Sequence, residues 1–190
     1  MRKKLSPGTL LAPVPAVLVT CKYGDKINML TVAWTGIVCT KPAMTYVSIR
    51  PERYSYDLID KSGEFVINLT TTSMAKAVDF CGVRSGRDIN KAEICGFELS
   101  DADIVNVPLI AQSPLCLECR VVKKEKLGSH DMFLAQIVSV SVDEKYIGSN
   151  GKIKLEQCGL LAYAHGDYNA LGRNVGNFGF SVKKRRKGKK

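Results

Sequence analysis

Residues 16–23 (AVLVTCKY) make a β-branched, apolar run that Gly24-Asp25 punctuates, and residues 27–34 (INMLTVAW) follow at once. Two such runs across a glycine-containing break predict a β-hairpin. Residues 44–50 (MTYVSIR), bracketed by Pro42 and Pro51, predict a third strand, and residues 64–70 (EFVINLT) a fourth. Between them, residues 54–61 (YSYDLIDK) suit a short helix that Gly63 stops. Ser73 is the expected cap of a helix over 74–81 ended by Gly82. Asp88 is the expected cap of a second short helix that runs through Cys95 and stops at Gly96. Residues 115–124 and 132–142 predict two long strands around a Gly128-Ser129-His130-Asp131 turn. The stretch 143–180 is mixed and Gly-rich and yields no assignment.

Many strands with a few short helices, and no strict alternation of strand and helix, predict a mainly β fold closed as a barrel or sandwich. No G-x-G-x-x-G follows a strand, so a dinucleotide would bind here without a Rossmann fold.

The chain has 190 residues, 45% hydrophobic and 24% charged, which is enough for one domain with a real core. The formal net charge is +10, and its location changes the picture more than its size. Residues 183–190 (KKRRKGKK) carry seven basic groups, and Arg2, Lys3 and Lys4 carry three, so residues 5–182 are formally neutral. The expected organisation is one folded domain over 1–182 and a basic, disordered tail over 183–190. A nucleic-acid binder normally carries its basic face on the folded body. Nucleic acid is therefore not the expected partner, although electrostatic contact of the tail with RNA stays open as an alternative.

Seven cysteines at irregular spacings suggest no disulfide framework, and reduced thiols in a cytoplasmic protein are the expectation. Arg2-Lys3-Lys4 ahead of an apolar stretch has the look of a signal peptide, but Pro7, Pro13 and Pro15 break that stretch. We read no signal there, and no membrane-spanning segment anywhere.

Three stretches carry candidate chemistry. In SIRPERYSY (48–56) strand alternation puts Ser48 and Arg50 on one face, and Arg53 and Ser55 stand at the start of the next helix. Guanidinium groups, a hydroxyl and free helix N–H groups make an anion site, unless this is a solvated arginine-rich turn. SGRDINK (85–91) adds Ser85, Arg87 and Lys91 at a second helix start. NMLTVAW (28–34) offers Asn28, Thr31 and the single tryptophan, Trp34, a combination suited to a flat heteroaromatic ring or to an ordinary core. Cys116-Leu117-Glu118-Cys119 is a distraction: within a strand the two sulfurs point to opposite faces. His130 and His165 have no metal-ligand spacing, and no metal site is expected.

In this order, NMLTVAWTG (28–36), TYVSIRPERYSYDLI (45–59), EFVINL (64–69), DFCGVRSGRDINK (79–91), PLCLECRV (114–121) and GSHDMFLAQIVSV (128–140) resemble the flavin reductase-like family, flavoredoxins in particular. The resemblance implies an FMN-binding split β-barrel with Greek-key topology, a homodimer, and FMN near the subunit interface. It implies Ser48, Arg50, Arg53 and Ser55 at the FMN phosphate, with Ser85 and Lys91 assisting. Asn28, Thr31, Ala33 and Trp34 would line the flavin ring, and His130 would stand beside the nicotinamide of NAD(P)H as the catalytic group. Here the turn reads Gly-Ser-His where the family commonly has Gly-Asp-His. The implied activity is NAD(P)H:flavin reduction or flavoredoxin-type electron transfer with a redox protein partner. The alternative is a non-enzymatic FMN-binding module.

Overall fold

Residues 1–182 are described by a computed structural model. The basic tail expected over 183–190 lies outside the described residues. The described residues build twelve strands: β1 (Val14–Pro15), β2 (Val17–Tyr23), β3 (Lys26–Val32), β4 (Thr35–Thr40), β5 (Ala43–Ile49), β6 (Glu64–Leu69), β7 (Leu99–Ser100), β8 (Leu109–Ile110), β9 (Leu115–Lys126), β10 (Asp131–Val142), β11 (Leu161–Ala164) and β12 (Asp167–Ala170). The α-helices are α1 (Tyr54–Ser62), α2 (Ala75–Val83) and α3 (Lys91–Cys95).

Seven strands form one antiparallel sheet in the order β3-β2-β6-β9-β10-β5-β4. The hairpins β2–β3 and β4–β5 thus lie at its two ends, and α1 carries the chain from β5 across to β6 beside β2, a Greek-key step. The chain passes from β3 through Ala33 and Trp34 straight into β4, which brings the two ends of the sheet together, and Ser48 on β5 donates its backbone N–H to the Trp34 carbonyl at 2.9 Å, extending the β4–β5 pairing. The result is the expected mainly β split barrel with short helices.

Val19, Val47, Phe65, Cys119, Phe133 and Ala135, all fully buried, fill its interior, with Leu58 and Ile59 of α1 packed against them. The opposite face of β2 and β3 packs Leu18 and Met29 against Val78 and Cys81 of α2. Strand β2 is therefore buried on both faces, which is why AVLVTC reads as a continuous run instead of alternating. Cys119 points into the barrel and Cys116 points out against Asn68 and Val105, as strand alternation requires. Between them Glu118 is fully buried, its carboxylate accepting the backbone N–H groups of Asp103, Ile104 and Val105. That carboxylate anchors the loop across the outside of β9.

Four details depart from the sequence reading. The chain bends after Val32 and resumes as the edge strand β4, whose Ile37 and Val38 are exposed and give no burial pattern to read. Ser73 does not cap α2: it lies in a 3-10 turn, its hydroxyl bonded to that of Thr71, and Met74 precedes the helix. Gly82 does not end α2, which runs to Val83; a Cβ at Gly82 would meet Thr31 Cβ at 3.3 Å, so the glycine lets the helix lie on β3. Asp88 is not the cap of α3; Asn90 is, its side chain accepting the Glu93 N–H. The unassigned stretch 143–180 supplies β11 and β12, which join β1 in a three-stranded sheet beside α2.

Candidate functional site

The bend between β3 and β4, the end of β5, the start of β10 and the end of α2 meet around one concave surface. It consists of two adjoining cavities of about 370 Å³ each, which share Leu30, Thr31, Arg50, Arg53 and Gly82. Both volumes fall in the range of small-molecule sites.

The first cavity is walled by Thr31, Ala33, Trp34, Ser48, Arg50 and His130, with Asp79, Tyr163 and Tyr168 opposite. Its sequence-expected members come together as alternation predicts. Ser48 pairs with Met132 on the outer face of the sheet, and Arg50 continues that face towards His130. Thr31 lines the cavity, yet its hydroxyl donates to the Val78 carbonyl, so it pins α2 to β3. His130 Nδ1 lies 2.9 Å from the Ser129 hydroxyl. Partial burial, then the Arg50 and Arg53 guanidinium groups, hold its imidazole below the usual histidine range, against a weaker opposing pull from Glu52.

The two tyrosines were not legible as site residues. They face each other across the β11–β12 hairpin, rings 5.6 Å apart and edge to face. Tyr168 donates to Asp79 at 3.3 Å, and burial together with that carboxylate pushes its phenol up to about 12. Their signal was a period of two around His165-Gly166, both at positive φ (51° and 107°), as a tight hairpin turn demands.

The second cavity is cationic. Arg50, Arg53, Arg84, Arg87 and Lys91 line it with Ser55, Ser85 and Asn28, against one carboxylate, Glu52. Helix α1 opens here without a side-chain cap, leaving its first N–H groups for a ligand. Arg53 Nη1 donates to the Gly82 carbonyl at 3.2 Å and ties the start of α1 to the end of α2. Arg50 and Glu52 form an exposed ion pair at 3.5 Å, of the loose kind that yields readily to a stronger anion.

Three expected residues, Ser48, Asn28 and Lys91, sit differently from a simple reading of the motifs: Ser48, expected at the phosphate, lines the first cavity and not the cationic one, because the outer face of β5 turns it there. Asn28 stands in the cationic cavity and not in the first one; its Nδ2 donates to the Ser55 hydroxyl at 2.8 Å, both side chains being buried. With a lone pair so occupied, Ser55 keeps its O–H to give. Lys91 is 5% exposed and donates to the Met29 and Cys81 carbonyls at 2.8 and 2.9 Å, so one of its three N–H groups remains. Burial holds its ammonium below the usual lysine range. Gly86 is needed where it stands, since a Cβ would come within 1.9 Å of Asn28 Oδ1.

Among the described residues no cluster of His, Cys, Asp or Glu has the makings of a metal site, and no helix is long and apolar enough to cross a membrane. The site's chemistry is thus that of a binding cleft with an aromatic-walled half and an anion-binding half.

The fold is shared with known proteins. A flavoredoxin from Desulfovibrio vulgaris (Miyazaki F) superposes with a TM-score of 0.89 at 26% identity, over 96% of this chain and 100% of that one. A flavoredoxin from Methanosarcina acetivorans superposes with a TM-score of 0.85 at 25% identity, over 96% and 100%. An uncharacterized protein of Archaeoglobus fulgidus is 35% identical over 117 residues, 62% of this chain and 66% of its own length. The chain thus spans just under two thirds of that relative. The flavin reductase like domain matches residues 10–172, and with the split barrel and its two-part cleft, this chain belongs to the flavin reductase-like family.

Proposed function

We propose that the protein is an FMN-dependent oxidoreductase that passes reducing equivalents from NAD(P)H, or from a redox protein partner, through the flavin. The observation that carries this reading is the division of one cleft into an aromatic-walled half and a cationic half that share Arg50 and Arg53. FMN has the same division: a flat heteroaromatic ring at one end and a phosphate dianion at the other.

The residues present fit that group. Ser55, Arg50 and Arg53, with the open start of α1, would hold the phosphate, assisted by Ser85 and Lys91. Ala33, Trp34, Thr31 and Ser48 would border the ring, while Asn28 serves the phosphate end through Ser55. The bound flavin would supply the redox chemistry, and the protein's part is to hold it, tune it and limit its access to water. His130, its imidazole pushed below the usual histidine range by partial burial and by Arg50, would orient a nicotinamide donor at the rim of the first cavity.

We further propose a homodimer. The outer face of β5 and β10 pairs Tyr46 with Leu134 and Ser48 with Met132, so an apolar patch borders the first cavity. A second copy seated there would close the open side of the ring site.

The test is the visible spectrum of the purified protein, before and after incubation with FMN. Flavin absorption that survives desalting supports the reading. A protein that stays colourless after reconstitution removes it.

A further inference from the structure

Six of the seven cysteine sulfurs make hydrogen bonds among the described residues, and four of those six donate only to oxygen. Cys21 donates to the Asn28 carbonyl, Cys116 to Asn68 Oδ1, Cys119 to the Leu117 carbonyl and Cys158 to the Lys154 carbonyl. The other two are partners of each other: Cys81 Sγ on α2 and Cys95 Sγ at the end of α3 lie 3.9 Å apart. The chain between them is the segment that carries Arg84, Ser85, Gly86, Arg87 and Lys91 into the cationic cavity. We propose that Cys81 and Cys95 are a redox-active pair that closes into a reversible disulfide and staples this anion-binding segment at both ends.

The two sulfurs are unequally placed. Cys81 is 1% exposed, whereas Cys95 is partly open to solvent. Burial, and then Cys95 itself, push the Cys81 thiol up to about 12, so Cys81 waits as a neutral thiol and Cys95 meets the oxidant. With hydrogen peroxide as oxidant, the Cys95 thiolate attacks one peroxide oxygen and the other leaves as hydroxide, giving a sulfenic acid. Cys81 then attacks the Cys95 sulfur, loses its proton, and the sulfenic oxygen leaves as water. In sum, two thiols and one hydrogen peroxide give one disulfide and two waters, the two electrons going to the peroxide. The sulfurs have to close from 3.9 Å to about 2.05 Å. A dithiol reverses the bond by exchange.

Closing this loop restricts the freedom of the segment that opens towards the second cavity. The disulfide itself is independent of the flavin reading, since it concerns thiols alone; its effect on retention of the cofactor's phosphate rests on that reading.

The experiment treats the intact protein with hydrogen peroxide, blocks free thiols by alkylation in denaturant, and maps the tryptic digest by mass spectrometry without reduction. The proposal expects the peptide ending at Arg84 joined to the peptide beginning at Ala92, both Cys81 and Cys95 lost from the alkylated pool, and full recovery after dithiothreitol. In Cys81→Ser the sulfenic acid on Cys95 is trapped by dimedone, and in Cys95→Ser the Cys81 thiol remains alkylatable after the same treatment. Cys95 driven to sulfinic acid beside an alkylated Cys81, or Cys81 joined to any other cysteine, would overturn it. A colourless protein that still forms the bond would defeat the flavin reading alone.

Discussion

Ser55 is a donor because of what lies behind it. The Asn28 amide gives its N–H to the Ser55 oxygen, and Gly86 packs so closely on Asn28 that no side chain fits between them. Asn28→Asp reverses the hydrogen bond: the carboxylate accepts the Ser55 O–H, which is then no longer free for a ligand, and adds a negative charge beside the cationic cavity. FMN affinity should fall by about 1.5–3 kcal/mol, the worth of a charged hydrogen bond, which is roughly tenfold to hundredfold in Kd. Riboflavin affinity should change little, and Ser55→Ala should remove the part of the Asn28→Asp loss that runs through the hydroxyl, leaving the part due to the added charge. Fluorescence titration of the single and double variants with both ligands checks this; additive losses would mean that Asn28 does not act through Ser55.

His130 gives a second test at this scale. Burial dominates its lowered pKa and Arg50 adds to it, so Arg50→Ala should move the imidazole back towards the ordinary value of about 6.5 without reaching it. The direction follows from charge: removing a cation makes protonation easier. Proton NMR of the ring across pH 4–9 (roughly, to bracket that value) reads it directly. His130→Ala should keep bound FMN but slow its reduction by NAD(P)H in stopped flow, because the residue borders the first cavity and not the second. An unchanged rate would turn attention to a redox protein as the donor.

Elements differ in how plainly the sequence announced them. Strands β2, β3, β5, β6, β9 and β10 were legible because each buries at least one face and so carries a run or an alternation. Strand β4 was not, since an edge strand with Ile37 and Val38 in solvent leaves no periodic trace. The caps of α2 and α3 were misplaced by short distances, because Ser73, Asp88 and Asn90 all have capping chemistry and only the backbone path selects among them. Most residues of the cationic cavity were legible as a charge pattern, but the place of Asn28 depends on the twist that brings β3 under the start of α1. Lys91 was legible as a cation but not as a buried one; its two carbonyl partners come from β3 and α2.

The cap assignment can be measured. Asn90→Ala should cost about 1 kcal/mol of unfolding free energy, the usual loss for a cap, while Asp88→Ala should cost close to nothing, because Asp88 is exposed and accepts no helix N–H. Urea titration of the two variants separates them. Equal losses would return the cap to Asp88.

At the scale of the whole molecule, the barrel supplies a rigid rim and the helices close one side of the cleft. The other side faces the apolar outer surface of β5 and β10. Leu134→Glu puts a charge in the middle of that patch without touching the barrel interior, since Leu134 and its partner Tyr46 both point outward. The variant should sediment as a monomer and release FMN more readily than the parent protein. A dimer that persists in Leu134→Glu would place the interface elsewhere.

On this reading one FMN molecule would lie across both cavities with its phosphate in the cationic one. Titration of the apoprotein with FMN and with riboflavin, repeated on Arg53→Ala, tests it most directly. Arg53 borders both cavities and ties α1 to α2, and α1 presents its uncapped start beside it. The parent protein should prefer FMN to riboflavin, and Arg53→Ala should weaken FMN far more than riboflavin, narrowing the preference by roughly tenfold or more, as loss of a charged hydrogen bond implies. Equal affinity for the two ligands in the parent protein, or equal losses in the variant, would contradict it.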